Sequence, residues 1–346
     1  MTNLRKARLR AVVRIWMAVF VVSALPMSAE AGTIESIRSR GEVVCGVSEK
    51  HEGLSAVDAS GRWSGLEVEF CAALAAAVLG DRAKVKFKPV SDAEGPRVLA
   101  HGDVDVLLGG TAWTLSRESE LGMRSAGVLF HDGQGLMVSR TFGVSSALEL
   151  SGASICVQRG TGADKAVAGY FNERKMRSQL AISDKWEDAV KTYRDGHCTL
   201  LTGDVSVLGY ERSRLPRPAD HLILPELVTH VQTGPMVRQG DEAWFTLVRW
   251  TLLGLIEAEQ LGLTSQTIKE PIESTDDRVR RFLGQEAALG AALGLPPDWT
   301  VRVIAEVGNY AEIFDRTLGE RSRLKLSRGA NNLWSKGGLM ASPAFR

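Results

Sequence analysis

The chain has no run of basic residues interleaved with aromatics, so the electrostatic footprint of a DNA- or RNA-binding protein is missing. It has no Cys-x-x-Cys or Cys-x-x-His spacing and its six histidines are scattered, which argues against a zinc site. No Gly-x-Ser-x-Gly elbow and no Ser-His-Asp signature is present, so nucleophilic catalysis finds no support. The apolar run Ile15 to Leu25 is far short of the roughly 20 residues that a membrane-spanning helix needs. Beyond Ala31 neither a low-complexity tract nor a long linker interrupts the chain.

What is there is ordinary globular composition, 44% hydrophobic and 24% charged, in a chain of 346 residues that is long enough for two lobes with cores of their own. Residues 1–31 stand apart. Arg5, Lys6, Arg8, Arg10 and Arg14 precede or open the apolar run, and Ala29-Glu30-Ala31 supplies a small-residue cleavage pattern, the plan of a cleaved secretory signal peptide. Its removal leaves 37 basic and 40 acidic residues, a mildly acidic export product. Four cysteines remain, Cys45, Cys71, Cys156 and Cys198, in a chain expected in an oxidising compartment. Of the three possible connectivities, Cys45–Cys71 with Cys156–Cys198 staples each half separately and is the most economical. Each bridge is expected to stabilise by roughly 3–4 kcal/mol.

The organising stretch is Gly102 to Arg117, Gly-Asp-Val-Asp-Val-Leu-Leu-Gly-Gly-Thr-Ala-Trp-Thr-Leu-Ser-Arg. A helix is expected to stop at Gly102, a short buried strand follows, and a small-residue loop delivers Arg117. Such strand ends are where an open α/β sheet meets ligands. His101 to Gly110 can be laid without a gap over Asp195 to Asp204, so the pattern occurs twice, the first copy leading to Arg117 and the second ending on Asp204. Two similar halves then offer opposite charges at matching sheet edges, which suits a zwitterion. Around these copies the pattern predicts strands at Val43–Val47, Lys84–Lys88, Gln134–Arg140, Ala153–Gln158 and Cys198–Thr202. Helices are expected over Val68–Leu79, Asp92–His101, Ala163–Tyr170, from a capping box at Asp184 and Glu187, and over Asp241 to Glu259. Residues 48–63 read as an irregular loop, Gln134–Arg140 as a strand leaving the first lobe, and the tail from Pro296 as weakly patterned with helices near 301–307 and 312–318.

With these residues in view, the chain resembles the periplasmic general L-amino-acid-binding proteins of polar amino-acid ABC transporters, the solute-binding protein family 3. The marks are Cys-Gly-Val at 45–47, Asp-Ala-Ser-Gly-Arg-Trp at 58–63, Trp-Thr-Leu-Ser-Arg at 113–117, Tyr-Phe at 170–171, Val-Arg-Gln-Gly-Asp at 237–241 and Arg-Phe-Leu-Gly at 281–284. Val-Gly-Asn-Tyr-Ala-Glu-Ile-Phe at 307–314 and Asn-Leu-Trp-Ser-Lys-Gly-Gly at 332–338 complete the set. The resemblance implies a two-lobed α/β, periplasmic-binding-protein-like fold of type II, with parallel-core sheets joined by a two-strand hinge. Its lobes are expected at 32–137 with 235–346, and at 138–234. It further implies a monomer in the periplasm that closes on a free polar or acidic L-amino acid and docks on permease subunits in the inner membrane, with no enzyme activity, cofactor, metal or nucleic acid.

By the same resemblance Arg117 pairs with the ligand α-carboxylate, Asp204 holds the α-ammonium, and the Gly160-Thr161-Gly162 loop before a helix receives the carboxylate on its N–H groups. Gly110, Ala112 and Thr114 line the loop to Arg117. Departures from the family pattern bear on specificity. Ala112 and Gly162 stand where hydroxyl residues are common, Leu66 replaces an aromatic wall, Glu67 replaces the usual aspartate, and His51 occupies a wall position. With Leu66 unable to stack and His51 able to donate and accept, acidic and amide side chains are expected to bind better than basic ones. The rival readings are an enzyme similar to cyclohexadienyl dehydratases, using His51, Glu52 or Glu67 as acid, and a signalling relative whose pocket no longer binds.

Overall fold

The computed structural model describes residues 32–270, 273–286 and 289–346; the expected signal segment lies outside them. β1 (Val43–Val47) is buried along its whole length, as a valine-rich strand inside a parallel sheet should be. The stretch expected as an irregular loop instead carries a small antiparallel sheet of β2 (Lys50–His51), β3 (Ser55–Val57) and β4 (Trp63–Ser64). Strands of two or three residues are too short to display an alternation in sequence.

Helix Leu66–Leu79 is apolar on nearly every side, and it is covered accordingly, by β1 and by helices Glu242–Gln260 and Trp299–Val307. β5 (Val85–Pro89) and β6 (Val106–Leu107) flank β1 in parallel, and β7 (Met123–Ser125) lies at one edge. β8 (Phe130–Asp132) then leads out of this sheet.

β9 (Gln134–Ser139) does not belong to the first lobe. It pairs antiparallel with two strands of the second sheet, so the crossing falls before Gln134 rather than near residue 138. That sheet is completed by β10 (Ala153–Gln158), β11 (Ser178–Ser183), β12 (Leu200–Asp204) and β13 (His221–Ile223), in the order β11-β10-β12-β9-β13. The helix after β11 begins at Trp186 with Lys185 as its cap position, and Asp184 accepts from Arg159 Nε at 2.9 Å rather than closing a capping box. The chain returns through β14 (Val231–Thr233), which pairs antiparallel with β8 as the second crossing strand, and through β15 (Met236–Arg238), which re-enters the first sheet to give β5-β1-β6-β15-β7.

The tail joins the first lobe. Helices Trp299–Val307 and Tyr310–Thr317 share one core with β1 and helix Leu66–Leu79, and a reciprocal capping box between Asn309 and Glu312 starts the second of them. Both expected disulfides are present. Cys45–Cys71 ties β1 to the helix behind it, and Cys156–Cys198 ties β10 to the approach to β12.

Candidate functional site

Between the hinge and the second lobe lies a cleft of about 610 Å³. Three of the residues nominated from sequence line it, namely Thr161, Gly162 and Asp204. Asp204 ends β12 and starts helix Val205–Arg214 without using its side chain as a cap, so the carboxylate is left for other partners. It is open to solvent yet walled by protein. Burial first, and the like charge of Asp132 second, push its carboxyl above the usual range, while His51 opposes them. Gly162 takes φ +85°, a conformation that favours glycine, and opens helix Ala163–Glu173 with no side-chain cap. Thr161, Gly162 and Ala163 all line the cleft at this turn, and the Thr161 hydroxyl accepts from Ala163 N at 3.3 Å.

His51 reaches across from the first lobe, with Nε2 3.1 Å from Ser206 Oγ at the start of helix Val205–Arg214. The Ser206 hydroxyl donates to Asp132 Oδ2 at 2.5 Å, so its single proton is spent there and His51 Nε2 is the donor to Ser206. Gly110 makes room for the imidazole: a Cβ there would sit 2.8 Å from His51 Nδ1. Arg117 lies on the short helix Leu115–Ser119, capped by Thr114, and is 15% exposed. Its guanidinium donates to Ala112 O at 2.6 Å and to Asp92 Oδ1 at 2.5 Å. Both contacts hold the side chain in place while leaving further N–H donors of the fork.

Two nominated residues have other work. Leu66 is 1% exposed and packs in the core of the first lobe; as the first residue of a helix tied to Gly53 O, it fills that core and forms no wall of the cleft. The Gly110 N–H is not free for a ligand. Glu67, 2% exposed, accepts from Gly109 N at 2.9 Å, from Gly110 N at 2.7 Å and from Ser55 Oγ at 2.8 Å. Of the three side chains weighed as a catalytic acid, Glu67 thus braces a loop, Glu52 pairs with Arg323 at 2.7 Å, and His51 bonds Ser206. Among the described residues no group of three or more His, Cys, Asp or Glu is placed to hold a metal ion.

The structure adds residues that sequence reasoning did not single out: Gln134, Gln158 and Trp186 line the same cleft, and Asp132, bonded by the Ser206 hydroxyl, acts on Asp204 through its charge. Gln158 had a usable signal, since it ends a strand two residues before Gly160-Thr161-Gly162. Trp186 had none, because its place depends on the packing of its helix against β12.

The model of the bacterial extracellular solute-binding proteins, family 3, matches residues 43–267. The general L-amino acid-binding periplasmic protein of Rhizobium johnstonii is 42% identical over 334 residues, 96% of this chain and 97% of that one. The glutamate/glutamine/aspartate/asparagine-binding protein of Rhodobacter capsulatus is 41% identical over 92% of this chain and 95% of its own. A solved periplasmic binding protein of an ABC transporter from Brucella ovis, with glutathione bound, is 42% identical, covers 91% of this chain and 100% of its own, and superposes with a TM-score of 0.77. By sequence and by fold, the chain belongs to family 3 of the bacterial extracellular solute-binding proteins.

Proposed function

We propose that the protein is the periplasmic substrate-binding component of an amino-acid ABC transporter, a monomer and not an enzyme, that closes on a polar or acidic L-amino acid and hands it to permease subunits in the inner membrane. The observation that carries this reading is the placement of Asp204 and the helix N-terminus at Gly162 on one side of the cleft, with a braced Arg117 on the other lobe. Asp204 meets the α-ammonium; Arg117 and the N–H groups at Thr161 and Gly162 meet the α-carboxylate. The Rhodobacter capsulatus relative, a glutamate/glutamine/aspartate/asparagine-binding protein, supports the acidic and amide side-chain preference.

A second ligand size has its own support. A cleft of about 610 Å³ falls within the ~300–1,000 Å³ of pockets that hold drug-sized ligands, and the Brucella ovis relative holds glutathione. Titration calorimetry with L-glutamate, L-glutamine, L-arginine and glutathione tests both readings. Micromolar or tighter binding of the first two, with arginine weaker, is expected; arginine as the tightest ligand overturns the specificity, and no binding of any of them overturns the receptor function. Turnover of prephenate would overturn the non-enzymatic assignment.

A further inference from the structure

The cleft holds one aromatic ring. Trp186 lines it, and three contacts set the ring's position. Its indole N–H donates to Glu211 Oε1 at 3.1 Å, a carboxylate on a residue only 9% exposed. Its six-membered ring lies against Gly203, where a Cβ would come 2.7 Å from Cη2 and 3.1 Å from Cζ3. The rest of the ring packs on the second lobe's core around Cys156, Ala189 and Leu208. The one polar atom of the indole is therefore satisfied away from the cleft, and what remains for a ligand is apolar ring surface. Gly203 directly precedes Asp204, so this surface begins within one residue of the carboxylate.

The surroundings narrow the chemistry further. Among the described residues Asp204 is the sole charged one lining the cleft, so with Asp204 on the α-ammonium nothing on this wall pairs with a charged ligand side chain. Gln158 also lines it, and among the described residues its side-chain amide has no hydrogen-bond partner. A flat apolar surface beside a free amide fits a planar, neutral amide.

Resting on the receptor reading, in which Asp204 holds the α-ammonium, we propose that Trp186 and Gln158 form a distal subsite for a γ-carboxamide, with Trp186 as the stacking wall and Gln158 as its hydrogen-bond partner. L-glutamine and a γ-glutamyl peptide present that same group.

Calorimetry with L-glutamine, L-glutamate and glutathione on the full-length mature protein, Trp186→Ala, Trp186→Phe and Gln158→Ala tests this. The parent should bind the carboxamide ligands more tightly than glutamate. Trp186→Ala and Gln158→Ala should each weaken glutamine by about tenfold and narrow its lead over glutamate, while Trp186→Phe stays within about threefold of the parent. Glutamine tighter than glutathione assigns the subsite to the free amino acid, and the reverse order to the peptide; either supports the subsite. Glutamate bound as tightly as glutamine by the parent, or an unchanged glutamine affinity in both Gln158→Ala and Trp186→Ala, overturns it while leaving the receptor function standing. A parent protein that binds none of the three overturns both.

Discussion

The two lobes are built to one plan and finished differently. In both sheets the strand that ends the repeated sequence, β6 or β12, occupies the middle place beside the first strand of its lobe. In the first lobe the loop after β6 is closed off: the N–H groups of Gly109 and Gly110 point at the buried Glu67 carboxylate, and Ala112 O takes Arg117. In the second lobe the corresponding strand ends on Asp204, whose carboxylate caps nothing, and Gly162, with no side chain of its own, opens the helix that lines the same cleft. The cores follow suit. The first lobe has one large core that includes the long helix Glu242–Gln260 and the C-terminal helices beside a small cluster around Leu99 and Met236, whereas both clusters of the second lobe are small. Polar groups that the protein satisfies itself make a firm platform, and those left open are available to a ligand.

The largest expected effect probes that division directly. Glu67→Ala leaves two half-buried N–H groups and a buried hydroxyl without their acceptor and should cost about 3–5 kcal/mol in urea unfolding, whereas Thr161→Ala on the exposed loop, which loses only the hydroxyl's contacts to Ala163 N and Gln158 O, should cost about 1 kcal/mol or less. Equal costs would mean that the two loops do not differ as described.

Next come the staples. Removing either disulfide by paired Cys→Ser exchange should cost roughly 3–4 kcal/mol, with the second lobe's bridge a few tenths the larger because it closes 42 residues rather than 26. Non-reducing and reducing unfolding curves of each double variant check it; a cost for one bridge alone would show that a single lobe limits stability.

Binding draws on both lobes. Asp204→Ala and Arg117→Ala should each lower ligand affinity about 30-fold or more with little change in melting temperature. A parent-like affinity in both variants would place the ligand elsewhere.

The smallest effect concerns the joint. His131 on β8 lies 2.9 Å, Nδ1 to Nε2, from His230, which directly precedes β14, and burial first and the charge of His230 second hold its pKa down to about 4. The unfolded chain, with a histidine near 6.5, binds this proton earlier as pH falls. The stability tied to neutral His131 is therefore whole above about pH 6.5, declines below it and is gone once pH has passed through about 4. Melting temperatures from pH 7.5 to 4 should fall less steeply in His131→Gln than in the parent; identical slopes would remove His131 from the pH response.

Much of this was legible in the residues. Valine-rich Val43–Val47, the helical spacing before Gly80 and the long helix after Asp241 announce themselves because each carries a strong local period. The two- and three-residue strands between Lys50 and Ser64 do not, nor does β11, whose Ser178–Ser183 is half polar and never fully buried. Asp184 has a cap's spacing but is held by Arg159 instead, a competition that local pattern cannot rank.

By itself the sequence determined the α/β class in two similar halves, the economical cysteine pairing and the nomination of Arg117 and Asp204, because these rest on local periods, on spacing and on a motif repeated within one chain; the Gly160–Gly162 loop came from the family resemblance. Only the tertiary structure decided that Leu66 is core, that Glu67 consumes the Gly110 donor, that the crossing precedes Gln134, and that the Trp186 ring lies against Gly203 beside Asp204. Each of these depends on which groups, distant in sequence, reach a polar atom or a free surface first. That competition is settled by packing, in distances of about 3 Å that no local pattern encodes.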